Sequence, residues 1–280
     1  MIIFKKAIDL QQYLHNKREV NAVVAFVPTM GALHQGHISL IKQAKKPDTL
    51  VVCSIFVNPA QFNDNTDFEK YPSTIEIDIA MLEKAGCDVL FLPVVAEVYP
   101  GGLQQQEHFN LGYLETVLEG KYRPGHFQGV CLAVKRLLNI VQPQYLYLGQ
   151  KDYQQCMVIK KLVSLMQAPV QIVICDTLRE NDGLAMSSRN LRLNGLERKK
   201  AVTIAEVLTF IKQEIRTGYL EDLKTRCTNY LNTEGFKVDY VEIASADTLE
   251  LIENWDGKTQ LVALIAAYLN DIRLIDNMLI

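Results

Sequence analysis

Short apolar runs alternate with amphipathic stretches through the first two thirds of the chain. Ala22-Val23-Val24-Ala25-Phe26-Val27 shows no polar alternation, the pattern of a strand buried on both faces. Ile38 to Lys45 follows with apolar residues at helical spacing. Leu50 to Val57 is the next strand-like run, and Asn58-Pro59 closes it. A helical stretch near Thr74 to Gly86 precedes the short strand Asp88 to Leu92. Helix-like Val130 to Val141 feeds strand Tyr145 to Leu148, and Tyr153 to Met166 feeds Val170 to Cys175. This alternation predicts the α/β class, with a doubly wound, Rossmann-like parallel sheet. Ligands of such sheets bind beyond the carboxyl ends of the strands.

The pattern changes near Thr177. Helical stretches around Leu196 to Thr217 and Leu220 to Asn232 are followed by short strands at Val238 to Ile243, Gln260 to Tyr268 and Ile272 to Asp276. A smaller α+β C-terminal domain is expected there, giving residues 1–177 as the parallel-sheet domain and 178–280 as the smaller one. No internal repeat or low-complexity segment is visible.

Composition adds mainly exclusions. A chain of 280 residues buries roughly three quarters of its unfolded surface and has room for one large domain or two unequal ones. A formal net charge of -3 carries no nucleic-acid footprint. Leu261 to Leu269 is too short to span a bilayer. Met1 to Lys6 lacks the long apolar region of a signal peptide, so no membrane partner and a cytoplasmic location are expected. The six cysteines, Cys53, Cys87, Cys131, Cys156, Cys175 and Cys227, show no C-x-x-C pair. They read as reduced structural thiols.

The chemistry gathers after the predicted strands. Pro28-Thr29-Met30-Gly31-Ala32-Leu33-His34-Gln35-Gly36-His37 joins the first buried strand to a helix. A strand, a glycine-bearing turn and a helix start aim backbone N–H groups and the positive end of a helix dipole at an anion. His34 and His37, three residues apart, fall on one side of the first turn. Gly36 lets a nucleotide approach the backbone. The plainer reading is one core histidine and one surface histidine.

Gly149-Gln150-Lys151-Asp152 repeats the strand-to-helix geometry. Lys151 offers charge for a phosphate, and Asp152 suits the first helical turn or a ribose hydroxyl; alternatively this is a capped helix with a solvated lysine. Gln155 lies four residues beyond Lys151 and faces the same way, whereas Gln154 reads as structural. Met186-Ser187-Ser188-Arg189-Asn190 supplies two hydroxyls and a guanidinium for a phosphate clamp, or is an ordinary polar turn. Asn58-Pro59-Ala60-Gln61-Phe62 places Gln61 at the ligand edge, where an amide suits a small substrate with hydroxyl and carboxylate groups. Lys121 to Phe127 is a cationic and aromatic loop, placed either to cover an anionic substrate or to cap the next helix.

Together, PTMGALHQGHISL, IFVNPAQF, RPGHFQGV, GQKDYQQ, DGLAMSSRN and RLIDN, in this order between residues 28 and 277, resemble the pantothenate synthetase (pantoate–β-alanine ligase) family. The resemblance covers nearly the whole chain. It implies ATP-dependent condensation of pantoate with β-alanine through a pantoyl-adenylate, giving pantothenate, AMP and pyrophosphate. It implies that His37 is catalytic and that ATP is held by Met30, Gly31, Ala32, Leu33, His34, Gln35, Gly36 and His37. Gly149, Gln150, Lys151, Asp152, Leu178, Met186, Ser187, Ser188 and Arg189 complete the ATP set, with Leu178 acting through its main chain. Gln61 and Gln155 match the pantoate-holding amides, and Gln61 also the β-alanine contact. Mg2+ is expected on the phosphates and a homodimer is implied; Asp78 or another acid is a candidate metal ligand. Two departures stand out: Ser73 replaces a usual arginine, and Cys131 a common threonine. Two rival classes also fit parts of the pattern. A nucleotidylyltransferase acting on a phosphorylated substrate needs a cationic pocket, whereas Gln61 and Gln155 are neutral. A non-catalytic nucleotide sensor has no need of both histidines, Lys151 and the Ser-Ser-Arg loop together.

Overall fold

The computed structural model describes residues 1–61, 74–102 and 107–280, and the description below concerns these. Two compact units emerge. One comprises residues 1–149 and 158–175, the other residues 150–157 and 176–280.

The first unit is built on a sheet whose strands are β1 (Ile2–Phe4), β2 (Val23–Thr29), β3 (Thr49–Ile55), β4 (Val89–Phe91), β5 (Tyr145–Gly149) and β6 (Gln171–Cys175). Their order is β1-β4-β3-β2-β5-β6, and every pairing is parallel. The central strands are apolar throughout: Val24, Ala25, Phe26 and Val27 on β2 are fully buried, as are Val51, Val52 and Cys53 on β3. That is the burial expected of strands covered on both faces. Helices α1 (Ala7–Glu19), α2 (Gln35–Ala44), α3 (Ile75–Lys84), α4 (Val95–Val98), α5 (Leu118–Tyr122) and α6 (His126–Val141) belong to this unit. Ile38, Ile41 and Ala44 of α2 and Leu82 of α3 join one apolar core with β2 and β3. The strand order reverses between β2 and β5, which pair directly at Ala25–Tyr145 and Phe26–Leu146. In such sheets the ligand crevice forms beyond the carboxyl ends at this switch point.

Helix α7 (Tyr153–Met166) carries residues of both units. The second unit then continues through α8 (Gly195–Lys200), α9 (Thr203–Glu214), the short strand β7 (Gly218–Tyr219) and α10 (Glu221–Thr233). Strands β8 (Phe236–Ser245), β9 (Asn254–Trp255), β10 (Leu261–Leu269) and β11 (Ile272–Leu279) complete it. β10 is the centre of a three-stranded antiparallel sheet, in the order β11-β10-β8. Residues Leu261 to Ala267 on it are buried without interruption, so the apolar run noted above is a core strand. α9 lays Ile204, Val207, Leu208 and Ile211 against this sheet in a separate core. The α/β architecture with a small antiparallel C-terminal sheet is the predicted one. Among the described residues no helix is long and apolar enough to cross a membrane. All six cysteines are free and buried.

Candidate functional site

The loop after β2 is shaped by a carboxylate that reaches it from α3. Gly31 sits at φ +82° and Ala32 at φ +48°, two successive left-handed residues that fold the chain back on itself. Turned this way, the loop points its N–H groups inward. Asp78, fully buried, accepts them: Ala32 N donates to Oδ2 and Leu33 N to Oδ1, each at 2.9 Å. The Thr74 hydroxyl donates to Oδ1 at 3.1 Å. A Cβ on Gly31 would stand 3.1 Å from Asp78 Oδ2 and from Ile55 Cγ2, so this glycine also answers a close approach. Both oxygens of Asp78 are thus taken up by the loop. Asp78, a candidate metal ligand in the sequence, here holds backbone. Thr29 completes the frame, its hydroxyl donating to Ser54 O at 2.7 Å and accepting from Gly31 N at 3.3 Å.

His34 is the N-cap of α2 and His37 the third residue of its first turn. Gly36 N donates to His34 Nδ1 at 3.1 Å, and His34 N donates to His37 Nδ1 at 3.3 Å. The two rings stand 4.1 Å apart, centroid to centroid. A ring nitrogen that accepts from an amide carries no proton, so each neutral imidazole has its N–H at Nε2. This is a reciprocal capping box built from histidines in place of the usual Ser and Glu. It presents two imidazole donors at the positive end of a helix.

Gln61 ends a single helical turn, Pro59–Gln61, after β3. Its side chain accepts from Asn58 Nδ2 at 3.1 Å and donates to Met30 Sδ at 2.7 Å, tying it to the loop after β2. Asn58, 1% exposed, also donates to Gly129 O at 3.0 Å and accepts from the Tyr99 hydroxyl at 2.7 Å. Burial pushes the Tyr99 phenol up from its ordinary range, which keeps it a neutral donor. Buried His126, the first residue of α6, bonds through Nδ1 to Gln61 O at 2.9 Å. A Cβ on Gly129 would overlap the Ala60 carbonyl, so α6 and this turn meet at a glycine. The 121–127 loop supplies the N-cap of the next helix through its backbone. Gly125 holds the N-cap at φ +78°, with no side-chain hydrogen bond to the helix. His126 and Gly129 were not legible as supports of Gln61, because each meets its turn from a position distant in sequence. Cys131 lies wholly buried in α6, its thiol pushed up to about 12 by burial. Ser73 and Phe62 lie outside the described residues.

In the second unit, Gln150 to Asp152 form one tight turn ahead of α7, and Lys151 Nζ lies 3.4 Å from Asp152 Oδ1. Gln154 is 3% exposed and Gln155 half-buried. The Gln150 amide is engaged with Asn277 at 3.2 Å. Leu178 accepts through its carbonyl from Met186 N at 3.0 Å. Ser187 caps the turn Ser188–Arg192, its hydroxyl accepting from Arg189 N at 3.3 Å, and Arg189 donates to Arg273 O at 3.2 Å. Lys151, Ser187, Arg189, Asn190, Arg273 and Asp276 line one cavity of this unit, together with apolar neighbours. Its charged groups are largely paired: Arg179 closes on Asp276 through two hydrogen bonds of 2.6 and 3.0 Å, and Arg273 on Asp239 at 2.8 Å. Burial pushes the Asp276 carboxyl up, and the Arg179 guanidinium opposes it.

Known proteins share this arrangement along its whole length. The family model described as pantoate-beta-alanine ligase matches residues 2–279. A pantothenate synthetase of Cytophaga hutchinsonii is 46% identical, over 100% of this chain and 99% of the relative. One from Porphyromonas gingivalis is 44% identical over 99% and 98%. The crystal structure of pantothenate synthetase from Thermus thermophilus superposes with a TM-score of 0.90 at 38% identity, covering 99% of both chains. That of pantoate-beta-alanine ligase from Francisella tularensis, complexed with beta-gamma ATP and beta-alanine, gives a TM-score of 0.82 at 38% identity, covering 100% of this chain and 97% of the other.

Proposed function

The chain belongs to the pantoate–β-alanine ligase family, and on that premise we propose how its own residues divide the work. It is an ATP-dependent ligase that joins pantoate to β-alanine to form pantothenate. In our reading the pantoate carboxylate attacks the α-phosphorus of ATP, the bond to the bridging oxygen breaks, and pyrophosphate leaves. The β-alanine amine then attacks the acyl carbon of pantoyl-adenylate, expels AMP and loses a proton to give the amide. Such displacements need positioned donors and fixed charge more than a protein nucleophile.

The observation that carries this assignment is the histidine pair at the start of α2. Nδ1 of each ring accepts a backbone N–H, so Nε2 carries the proton. His37 donates to the triphosphate as charge moves onto pyrophosphate, and His34 binds. The loop from Met30 to Leu33, held by Asp78, gives the backbone against which ATP lies. Lys151, Ser187, Ser188 and Arg189 neutralise the phosphates. Gln61, with Gln155, orients pantoate, and Gln61 then meets β-alanine.

Magnesium enters this scheme with ATP, as part of the substrate. Among the described residues no group of three or more His, Cys, Asp or Glu side chains is placed to hold a metal, and Asp78 has both oxygens on the loop. An ion that keeps its waters and binds through substrate phosphates needs no such group. A homodimer and a cytoplasmic location complete the proposal. Six free, buried thiols support a reducing compartment.

The test is isotope exchange between pyrophosphate and ATP. Exchange that requires pantoate but not β-alanine is the expected result. Exchange without pantoate, or none until β-alanine is added, would overturn the adenylate route.

A further inference from the structure

We propose that Asn277 is a positioning residue for the ligase reaction, its buried amide fixing the backbone that carries Lys151. The proposal rests on the reading that Lys151 acts at the phosphates. Asn277 lies on β11, 2% exposed, inside the second unit to which residues 150–157 belong. Its Nδ2 donates twice, to Gln150 O at 3.0 Å and to Lys151 O at 2.8 Å. Its Oδ1 accepts from the Gln150 side chain at 3.2 Å. An amide provides two donations and an acceptance from one planar head, which a carboxylate of the same shape cannot do.

The turn needs this support. Gln150–Asp152 is a single tight turn, and such turns have poor internal hydrogen-bond geometry. The Lys151 carbonyl belongs to the same residue as the cation, so fixing it restricts where the side chain departs. Asn277 is itself anchored at both ends of its peptide unit. Its N–H donates to Asp276 Oδ1 at 2.8 Å, and its carbonyl accepts from Arg179 Nη2 at 3.1 Å. The Arg179–Asp276 pair thus holds Asn277, and Asn277 holds the turn. Nearby, the Tyr153 hydroxyl donates to Ala246 O at 2.7 Å, pinning the first residue of α7 to the same unit. The RLIDN segment gains a purpose from this chain of contacts, although none of its residues needs to touch ATP.

The experiment is a double-mutant comparison. Single-turnover adenylate formation and pyrophosphate exchange are measured for wild type, Asn277→Ala, Lys151→Ala and the double variant. Asn277→Ala should lower the adenylation rate roughly 10- to 100-fold, the scale of a misplaced catalytic group, with little change in the KM for pantoate. In the Lys151→Ala background the same change should cost no more than about threefold, because contacting residues couple and the group being positioned is gone. Losses that multiply in full would overturn the proposal, since a general structural defect acts whether or not Lys151 is present. A Lys151→Ala enzyme with near wild-type exchange would overturn the reading of Lys151 itself, a separate failure. Asn277→Asp, isosteric but with at most one proton to donate, serves if the alanine variant folds poorly. A well-folded Asp variant with wild-type rates would also overturn the proposal.

Discussion

In the proposed reaction His37 acts as a donor because the protein decides which of its nitrogens is protonated. The His34 amide holds Nδ1 in the acceptor role, so the imidazole reaches phosphate in the tautomer that can give a proton. His37→Ala should lower the adenylation rate by a factor of about 10²–10⁴. Its stability should fall by no more than a lost helix cap costs, about 0.5–2 kcal/mol, because the ring is not part of the apolar core. Rapid-quench measurement of adenylate formation checks this, and a near-normal rate would remove His37 from the chemistry. Gln61 gives a second expectation at this scale. Asn58 and Met30 fix its amide before any ligand arrives, so truncation removes a pre-positioned partner. Gln61→Ala should weaken pantoate binding by about 0.5–1.5 kcal/mol, more if the lost partner is a charged oxygen, with ATP affinity close to wild type. Calorimetry showing equal losses for both ligands would mean a general defect instead. Asp78 belongs here too. Asp78→Asn turns one acceptor towards an N–H as a second donor, leaving a buried amide unsatisfied. A stability loss of about 1–3 kcal/mol is expected, along with weaker ATP binding. Denaturant titration and nucleotide calorimetry on the same variant check both, and intact ATP affinity would show that the loop keeps its shape without the carboxylate.

Between elements, one glycine decides whether the Gln61 turn can lie on α6. Gly129→Ala puts a methyl group into the Ala60 carbonyl, and neither backbone can retreat cheaply. Overpacking of this kind costs about 1–3 kcal/mol, and displacement of Gln61 should raise the KM for pantoate while leaving that for ATP largely alone. Steady-state kinetics with each substrate varied in turn read this directly; unchanged pantoate kinetics would show that the turn relaxes. Nothing local in the sequence announces this contact, since Ala60 and Gly129 are far apart along the chain. The strands were legible for the opposite reason: runs such as Ala22 to Val27 declare two-sided burial in their own composition, and β2 extends it only to Thr29. Helix α1 was missed because its polar sequence buries only Leu10 and Leu14, too thin a stripe to stand out. The stretch read as one helix from Leu196 to Thr217 is α8 followed by α9. Ala201 and Val202 at the junction keep helical backbone angles, so the apolar period runs through the break. The histidine motif was legible as a helix start, but the hydrogen bonds that set its tautomers were not. The left-handed backbone of Gly31 and Ala32 was not legible either, because it is set by Asp78, distant in sequence.

At the scale of the molecule, the residues assigned to ATP are divided between two compact units. His34 and His37 belong to the first, and Lys151, Ser187, Ser188 and Arg189 to the second. A reaction that passes through a mixed anhydride also has to keep water away until the amine arrives. Both needs are met if the second unit acts as a lid that closes when ATP and pantoate are bound, carrying its cations to the phosphates. Lys151 then travels with the lid, because its turn is held by Asn277 within that unit. The rival is a fixed arrangement in which Ser187 does no more than cap its turn, as its bond to Arg189 N already does. The two differ in what Arg189→Ala does. A lid that has lost Arg189 should use ATP more slowly and, without β-alanine, release more free pantoate and AMP per adenylate formed, since closure is weaker. Small-angle scattering should show a smaller radius of gyration with ATP and pantoate present than without, and a reduced change in the variant. A scattering profile unmoved by ligands, alongside an Arg189→Ala enzyme of full activity and no added leakage, would leave no place for the lid.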